Sequence, residues 1–475
     1  MKIKSNKEKK HLSRLNLEFS PDDAAGQPKD FFKKDQLGEE ELNKMLDQVI
    51  EEKGDFFCSQ PFIHMYMPTY GFQHVCCNTS MSVKRHISEI GIEGSYNEPE
   101  FTGIRREIVG GHKERERTLK TCHRCIQTEA RGFTSLRETY NRAARRNPKT
   151  AKELEYLTQY VIENPYDYYP LPEALHTVEL KVWGNYCNLK CIMCSPEDSS
   201  SVGEEMIQLG ELTVDDIKDR TRARTGSEVP FEPPLITNDD NHVDEDEFWT
   251  IIKRAEKIKL IGGETFLQKQ NVQVLEKCVE NGWAKDKDLI IFTNNTGYPR
   301  MEYIRDLLAQ FRHVSYKCSM ELWGPKNNYI RFPSDWDEVY KNMKMMSELP
   351  NVVINPTLTL NPITLGYCHE VVEGVKEFPR WNLNFSSMGR PRWFVAQCVP
   401  DDIRDFYLER YYSLPFHIIK GCEKAIETLE QREFDEFRFW QMIGKIKDRD
   451  KLRGDNILKY FPEWTKWFEN DDYYI

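Results

Sequence analysis

The sequence predicts an α/β protein built on a barrel-like sheet of parallel strands. From Thr177 onward, short runs of alternating apolar and polar residues are separated by stretches of helical period. The strand-like runs are Val178 to Val182, Ile258 to Ile261, Leu289 to Thr293, Val314 to Ser319, Val352 to Leu360 and Trp381 to Phe385. A period of two marks a strand with one buried face. Between most of them lie helix-like stretches: Phe248 to Lys257, Leu267 to Asn281, Arg300 to Phe311, Trp336 to Leu349 and Thr364 to Lys376. Alternating strands and helices imply parallel pairing. Six such strands suit a partial or full barrel, whose chemistry sits at the C-terminal ends of its strands.

The chain divides around this barrel. Residues 1–55 read as a polar tail and a short helix near Glu39 to Glu52. Lys2, Lys4, Lys7, Lys9, Lys10 and Arg14 make the start basic, which is expected of a solvated tail. Residues 56–150 form a cysteine-rich module of mixed α+β type that closes on the basic helical stretch Ser135 to Arg146. Residues 151–174 read as a connector containing Tyr166-Asp167-Tyr168-Tyr169-Pro170, and 175–400 as the barrel. An insertion over 213–243 carries Val229-Pro230-Phe231-Glu232-Pro233-Pro234 and leads into an acidic run through Glu247; a loop this long is expected to be a mobile surface segment. Residues 401–475 read as a helical extension rich in aromatic side chains.

Composition narrows the function classes. A net charge of −11 argues against a general nucleic-acid surface, because phosphate binding needs clustered positive charge. No apolar run approaches the about eighteen residues of a membrane span, and the basic N-terminus lacks the apolar stretch of a secretory signal. The expected location is therefore the cytoplasm. Thirteen cysteines in a reducing compartment point to metal or iron–sulfur ligation rather than disulfides.

The most informative segment is Trp183-Gly184-Asn185-Tyr186-Cys187-Asn188-Leu189-Lys190-Cys191-Ile192-Met193-Cys194, directly after the first barrel strand. Three thiolates on one short loop hold three irons of a cubane and leave the fourth open to a small chelating molecule. A zinc site would require a fourth ligand, and the nearest downstream histidine is His242. One βα unit later stands Leu260-Ile261-Gly262-Gly263-Glu264. Its glycines permit close backbone approach, and its carboxylate accepts hydrogen bonds from an ammonium group.

With these residues the chain resembles the radical S-adenosylmethionine superfamily, whose signature C-x3-C-x2-C is matched by Cys187, Cys191 and Cys194. The resemblance implies a partial (β/α)6 TIM-like barrel, a [4Fe–4S] cluster on those cysteines and S-adenosylmethionine as cofactor. Gly262, Gly263 and Glu264 would recognise the methionine amino group, and Met193 would stand where an adenine-contacting aromatic residue is usual. Cys318-Ser319-Met320-Glu321-Leu322-Trp323-Gly324 resembles the family's S-x-D-G stretch with Glu321 in place of Asp, so Ser319 would touch the cofactor. Arg331, in Tyr329-Ile330-Arg331, would pair with the cofactor carboxylate, and Thr293, Asn294 and Asn295 are expected to line the pocket.

A second group comprises Cys58, Gly71, Cys76-Cys77 and Cys122-His123-Arg124-Cys125. Its layout is similar to the opening of SPASM/twitch modules, although here it precedes the barrel. That likeness implies an auxiliary [4Fe–4S] cluster on Cys58, Cys76, Cys122 and Cys125, with Gly71 making a hairpin turn and Cys77 substituting for Cys76 or staying free. Cys122 and Cys125 read as a C-x2-C knuckle that supplies two of the four ligands, and spacing alone does not exclude a four-cysteine zinc site. His64 and His74 are read as structural, and Cys278, Cys318, Cys368, Cys398 and Cys422 as buried apolar residues.

The resemblance implies reductive cleavage of S-adenosylmethionine to a 5′-deoxyadenosyl radical that abstracts hydrogen from a substrate. A reducing electron donor such as flavodoxin or ferredoxin would be the partner. Twitch-like relatives suggest a peptide or protein substrate. A nucleotide, sugar or cofactor precursor is the alternative, and a zinc-stabilised scaffold without turnover is a third reading.

Overall fold

The computed structural model describes residues 38–79, 82–225 and 245–469. Seven strands form one sheet in sequential order, every neighbouring pair parallel. They are β1 (His64–Met67), β2 (Leu175–Leu180), β3 (Ala255–Leu260), β4 (Asp288–Thr293), β5 (His313–Ser319), β6 (Val352–Leu360) and β7 (Asn384–Ser387). Parallel crossovers are almost always right-handed, so an order that advances in one direction places the connecting helices on one face and curls the sheet into a half-barrel. The α/β class expected from the sequence is therefore present, with one strand more than the six expected.

Burial follows the alternation. Val178, Leu180, Ile258, Leu260, Leu289, Ile291, Val314, Tyr316, Ile354 and Leu358 are buried. They share a core with Phe248, Ile252, Leu275, Ile304, Leu308, Met343 and Val371 from the helices. Lys259, Ile290, Phe292, Ser315, Lys317, Ser319, Val353, Thr357 and Thr359 occupy the opposite face and stay partly exposed. The open face is thus largely polar.

Several expectations need correction. The extra strand, β1, comes from the cysteine-rich segment, where His64↔Thr177 and Met67↔Leu180 pair it with β2. That segment is otherwise helical, with Ile87–Tyr96, Pro99–Val109, Glu116–Ala130 and Leu136–Arg146. It has no sheet of its own among the described residues. Gly71 does make a tight turn, at φ 70°, between the bridged residues Tyr66 and His74. A Cβ there would lie 2.1 Å from His86 Nε2. The stretch read as a connector begins with the helix Pro148–Glu163, and the supposed insertion begins with the helix Val214–Thr225. The rest of the insertion, up to Val243, lies outside the described residues, as does the basic N-terminal run. The final strand begins three residues later than expected, at Asn384, while Trp381 makes only an isolated bridge to Ile354.

After Asp401 the chain forms the helices Asp401–Tyr412, Glu423–Glu430 and Glu436–Arg453, among others. Their aromatic residues build a second core: Tyr407, Tyr411, Phe439 and Trp464 pack with Ile192, Ile330, Leu360 and Phe394. That core places the C-terminal helices against the loops that follow β2, β5 and β6.

Candidate functional site

The loop after β2 is fixed from both sides. The Asn185 amide donates to the Pro196 carbonyl at 2.7 Å, the Ser199 hydroxyl to Leu189 O at 2.8 Å and the Ser201 hydroxyl to Cys187 O at 2.7 Å. On the other side Lys190 N donates to Phe332 O at 2.6 Å and Ile192 N to Ile330 O at 3.0 Å. Cys187 and Cys191 are buried and Cys194 is half-buried. The thiols of Cys191 and Cys194 are hydrogen-bonded to one another, which together with Arg331 and Arg453 nearby favours the Cys191 thiolate. Burial pushes the Cys187 thiol up to about 12.

Glycines 262 and 263 close β3 because side chains do not fit. A Cβ on Gly263 would lie 2.2 Å from Tyr186 O and 2.3 Å from Asn185 O, both backbone atoms of the cysteine loop. On Gly262 it would meet the Gln268 side chain at 2.3 Å. Glu264 then turns inward and is buried. Its carboxylate accepts from Thr293 Oγ1 at 2.7 Å, Asn294 N at 2.7 Å and Phe266 N at 3.2 Å. Burial outweighs these donors and raises its pKa to about 7.

The remaining strand ends converge on the same place. The Asn294 side chain donates to Asn188 Oδ1 at 3.0 Å and lies 3.9 Å from Cys187 Sγ. Ser319 ends β5 and is half-buried. Arg331 is buried and pairs with Glu321 at 3.2 Å. Despite the cost of burial, Glu321 and the thiols of Cys191, Cys194 and Cys187 hold the Arg331 guanidinium charged. Glu321 itself, buried and also accepting from Thr359 N at 2.8 Å, is raised to about 8. Met193 packs half-buried between the cysteine loop and the C-terminal core. Cys187, Cys191, Cys194, Glu264, Asn294 and Arg331 are thus brought together, and Arg331 meets a protein carboxylate in Glu321.

Sequence reasoning missed the C-terminal contribution. Arg453 donates to Lys190 O within the cysteine loop and forms a two-pronged pair with Glu205 at 2.8 and 2.7 Å. Arg449 supports Glu211 in the same way, at 2.8 and 3.1 Å. No local motif signals this, because 263 residues separate Arg453 from Lys190.

The second cysteine group also assembles. Cys58, Cys76, Cys122 and Cys125 line one cavity with Val75, Asn78 and Arg137, and Cys77 is not part of its wall. Cys122 and Cys125 lie on the helix Glu116–Ala130, not on a knuckle loop, and three-residue spacing turns both to one face. Burial raises the Cys58 thiol to about 12 and the Cys122 and Cys76 thiols well above their ordinary value. Among the described residues no three or more His, Cys, Asp or Glu are gathered tightly enough around a single-ion position. The five scattered cysteines, Cys278, Cys318, Cys368, Cys398 and Cys422, are all buried.

No family model matches the chain, and no curated protein does. Among solved structures, Streptococcus suis SuiB matches with 13% identity and a TM-score of 0.33, over 80% of this chain and 71% of that one. It has also been solved bound to S-adenosylmethionine and to its precursor peptide SuiA. The anSMEcpe enzyme with bound AdoMet matches with 15% identity and a TM-score of 0.31, over 50% of this chain and 58% of that one. TYW1 with a lysine–pyruvate adduct matches with 13% identity and a TM-score of 0.24, over 47% and 69%.

Proposed function

We propose that the chain is a radical S-adenosylmethionine enzyme. The observation that carries this is the convergence of three loop thiols, a buried carboxylate and a buried guanidinium at the C-terminal ends of β2 to β5. The donor set suits a [4Fe–4S] cluster: three cysteines on one braced loop, a cation beside them, and a glycine whose Cβ would strike that loop. When bound, such a cluster supplies the electron that cleaves S-adenosylmethionine to a 5′-deoxyadenosyl radical able to abstract hydrogen.

The protein residues have separate tasks in this reading. Cys187, Cys191 and Cys194 hold the irons, and Arg331 offsets the negative charge of their thiolates. Glu264, uncomfortable as a buried anion, gains a counter-charge when it accepts hydrogen bonds from the methionine ammonium. Ser319 and Met193 line the cofactor's edge, and Gly263 lets the cysteine loop pack directly against the turn that carries Glu264. The C-terminal core covers the loop and excludes water.

The second cavity suits an auxiliary [4Fe–4S] cluster held by Cys58, Cys76, Cys122 and Cys125. The substrate is proposed to be a peptide or protein, with reduction by a flavodoxin- or ferredoxin-type donor. Iron and sulfide content with electron paramagnetic resonance tests this on anaerobically reconstituted protein. About eight irons per chain, falling to about four when Cys187, Cys191 and Cys194 are all alanine, is expected. Zinc at both sites with no iron uptake would leave a metal-stabilised scaffold instead.

A further inference from the structure

The open face of the sheet carries a lysine that no carboxylate among the described residues pairs with. Lys259 on β3 is paired with Glu179 on β2 at 2.7 Å, and Lys181 just beyond β2 with Asp198 at 2.7 Å. Lys317 on β5 has no carboxylate within 4.0 Å among the described residues. It is half-buried, between Phe292 on β4 and Asn355 on β6. Its ammonium stands 5.9 Å from the Phe292 ring centre. The Asn355 amide is already committed to Ser315 Oγ and Val353 O. Burial and the neighbouring Lys259 hold the Lys317 ammonium below the ordinary lysine range. A cation drawn out of water without a partner is unfavourable, and an aromatic ring offsets only part of that. In a chain of net charge −11, carboxylates are plentiful, yet none is placed here among the described residues.

Position gives the unpaired charge a use. Lys317 is two residues before Ser319 on the same face, so it lies about 7 Å along the strand from the cofactor edge, toward the interior of the half-barrel. We propose that Lys317 is the anchor of an anion subsite on the open face, which holds a carboxylate or phosphate group of the substrate. Phe292 provides an apolar wall and Thr357 a hydroxyl on the neighbouring strand. The assignment to a substrate rests on the radical S-adenosylmethionine reading; the anion subsite itself does not.

Trace acetylation of the full-length reconstituted protein, read at each lysine by peptide mass spectrometry, tests the proposal without turnover. Succinate and inorganic phosphate serve as probes at about 10 mM, ten times a millimolar-range Kd, with chloride of equal ionic strength as control. Exposed Lys376 and Lys420 report on screening. One or both probes are expected to slow Lys317 acetylation about tenfold, with less than a twofold change at the exposed lysines. Protection by succinate alone assigns a carboxylate substrate, protection by phosphate alone a phosphorylated one, and protection by both an anion site open to either. No protection at Lys317, or equal protection at all lysines, overturns the subsite. Acetylation needs no iron chemistry, so its failure leaves the cluster reading intact, and absent iron would leave the subsite standing.

Discussion

Arg453 donates a hydrogen bond of 2.5 Å to the carbonyl of Lys190, the residue immediately before Cys191. The same guanidinium closes on Glu205, and both side chains are almost fully buried. The helix Glu436–Arg453 is therefore a brace for the cysteine loop. Among the described residues Arg453→Ala leaves Glu205 with Arg449 alone, at 3.7 Å, and should cost about 3 kcal/mol of stability, as breaking a buried ion pair does. Iron content at the first site should fall with it while the second site keeps its iron. Thermal melting and metal analysis of the variant check this, and unchanged loading would deny Arg453 its positioning role.

The two glycines before Glu264 should not be equivalent. Gly263→Ala forces a Cβ onto backbone oxygens that cannot move without the cysteine loop, and should cost about 2–3 kcal/mol. Gly262→Ala first meets the end of the Gln268 side chain, whose shift gives up a hydrogen bond to Gly184 O, so the cost should be about 1 kcal/mol. Denaturant titrations of the two variants give the comparison directly.

Glu264 predicts a pH signature. Its folded pKa of about 7 lies above the ordinary 4.5, so the folded state binds more protons between those values. Stability contributed by this group is complete below about pH 4.5 and lost as pH rises through 7. The loss is on the order of 3 kcal/mol. Wild-type stability relative to Glu264→Gln should therefore decline from pH 4.5 to 7 and level off above. A flat difference across that window would show that the carboxylate is not held in the buried setting described.

Cys76 and Cys77 are separated by the cavity wall, which includes the first and not the second. Cys76→Ser and Cys122→Ser should each remove about four irons per chain, whereas Cys77→Ser should leave the iron count unchanged. Loss of iron in the Cys77 variant alone would reverse the ligand assignment.

Most of the sheet was legible because its strands alternate strictly: Ile258 and Leu260 against Lys257 and Lys259, or Val314, Tyr316 and Cys318 against Ser315 and Lys317. The cysteine spacing and the Gly-Gly-Glu turn were legible for the same local reason, as each lies within a dozen residues. β1 was not. His64-Met65-Tyr66-Met67 is four residues long and contains no β-branched side chain, and its partner lies across five intervening helices. The Arg453–Glu205 brace and the Arg331–Glu321 pair were illegible because tertiary contact alone creates them. The C-x2-C helix was misjudged as a knuckle, since cysteine spacing says nothing about the backbone beneath it.

β1 has a bearing on how the chain can be cut. It caps the flank of β2, whose six residues are all buried. A fragment beginning near residue 175 would retain the first cysteine triplet and the Gly-Gly-Glu turn, yet expose a bare strand edge. Such edges template pairing between molecules. A minimal barrel produced that way should aggregate, so the N-terminal segment serves the barrel as an intramolecular solubility guard.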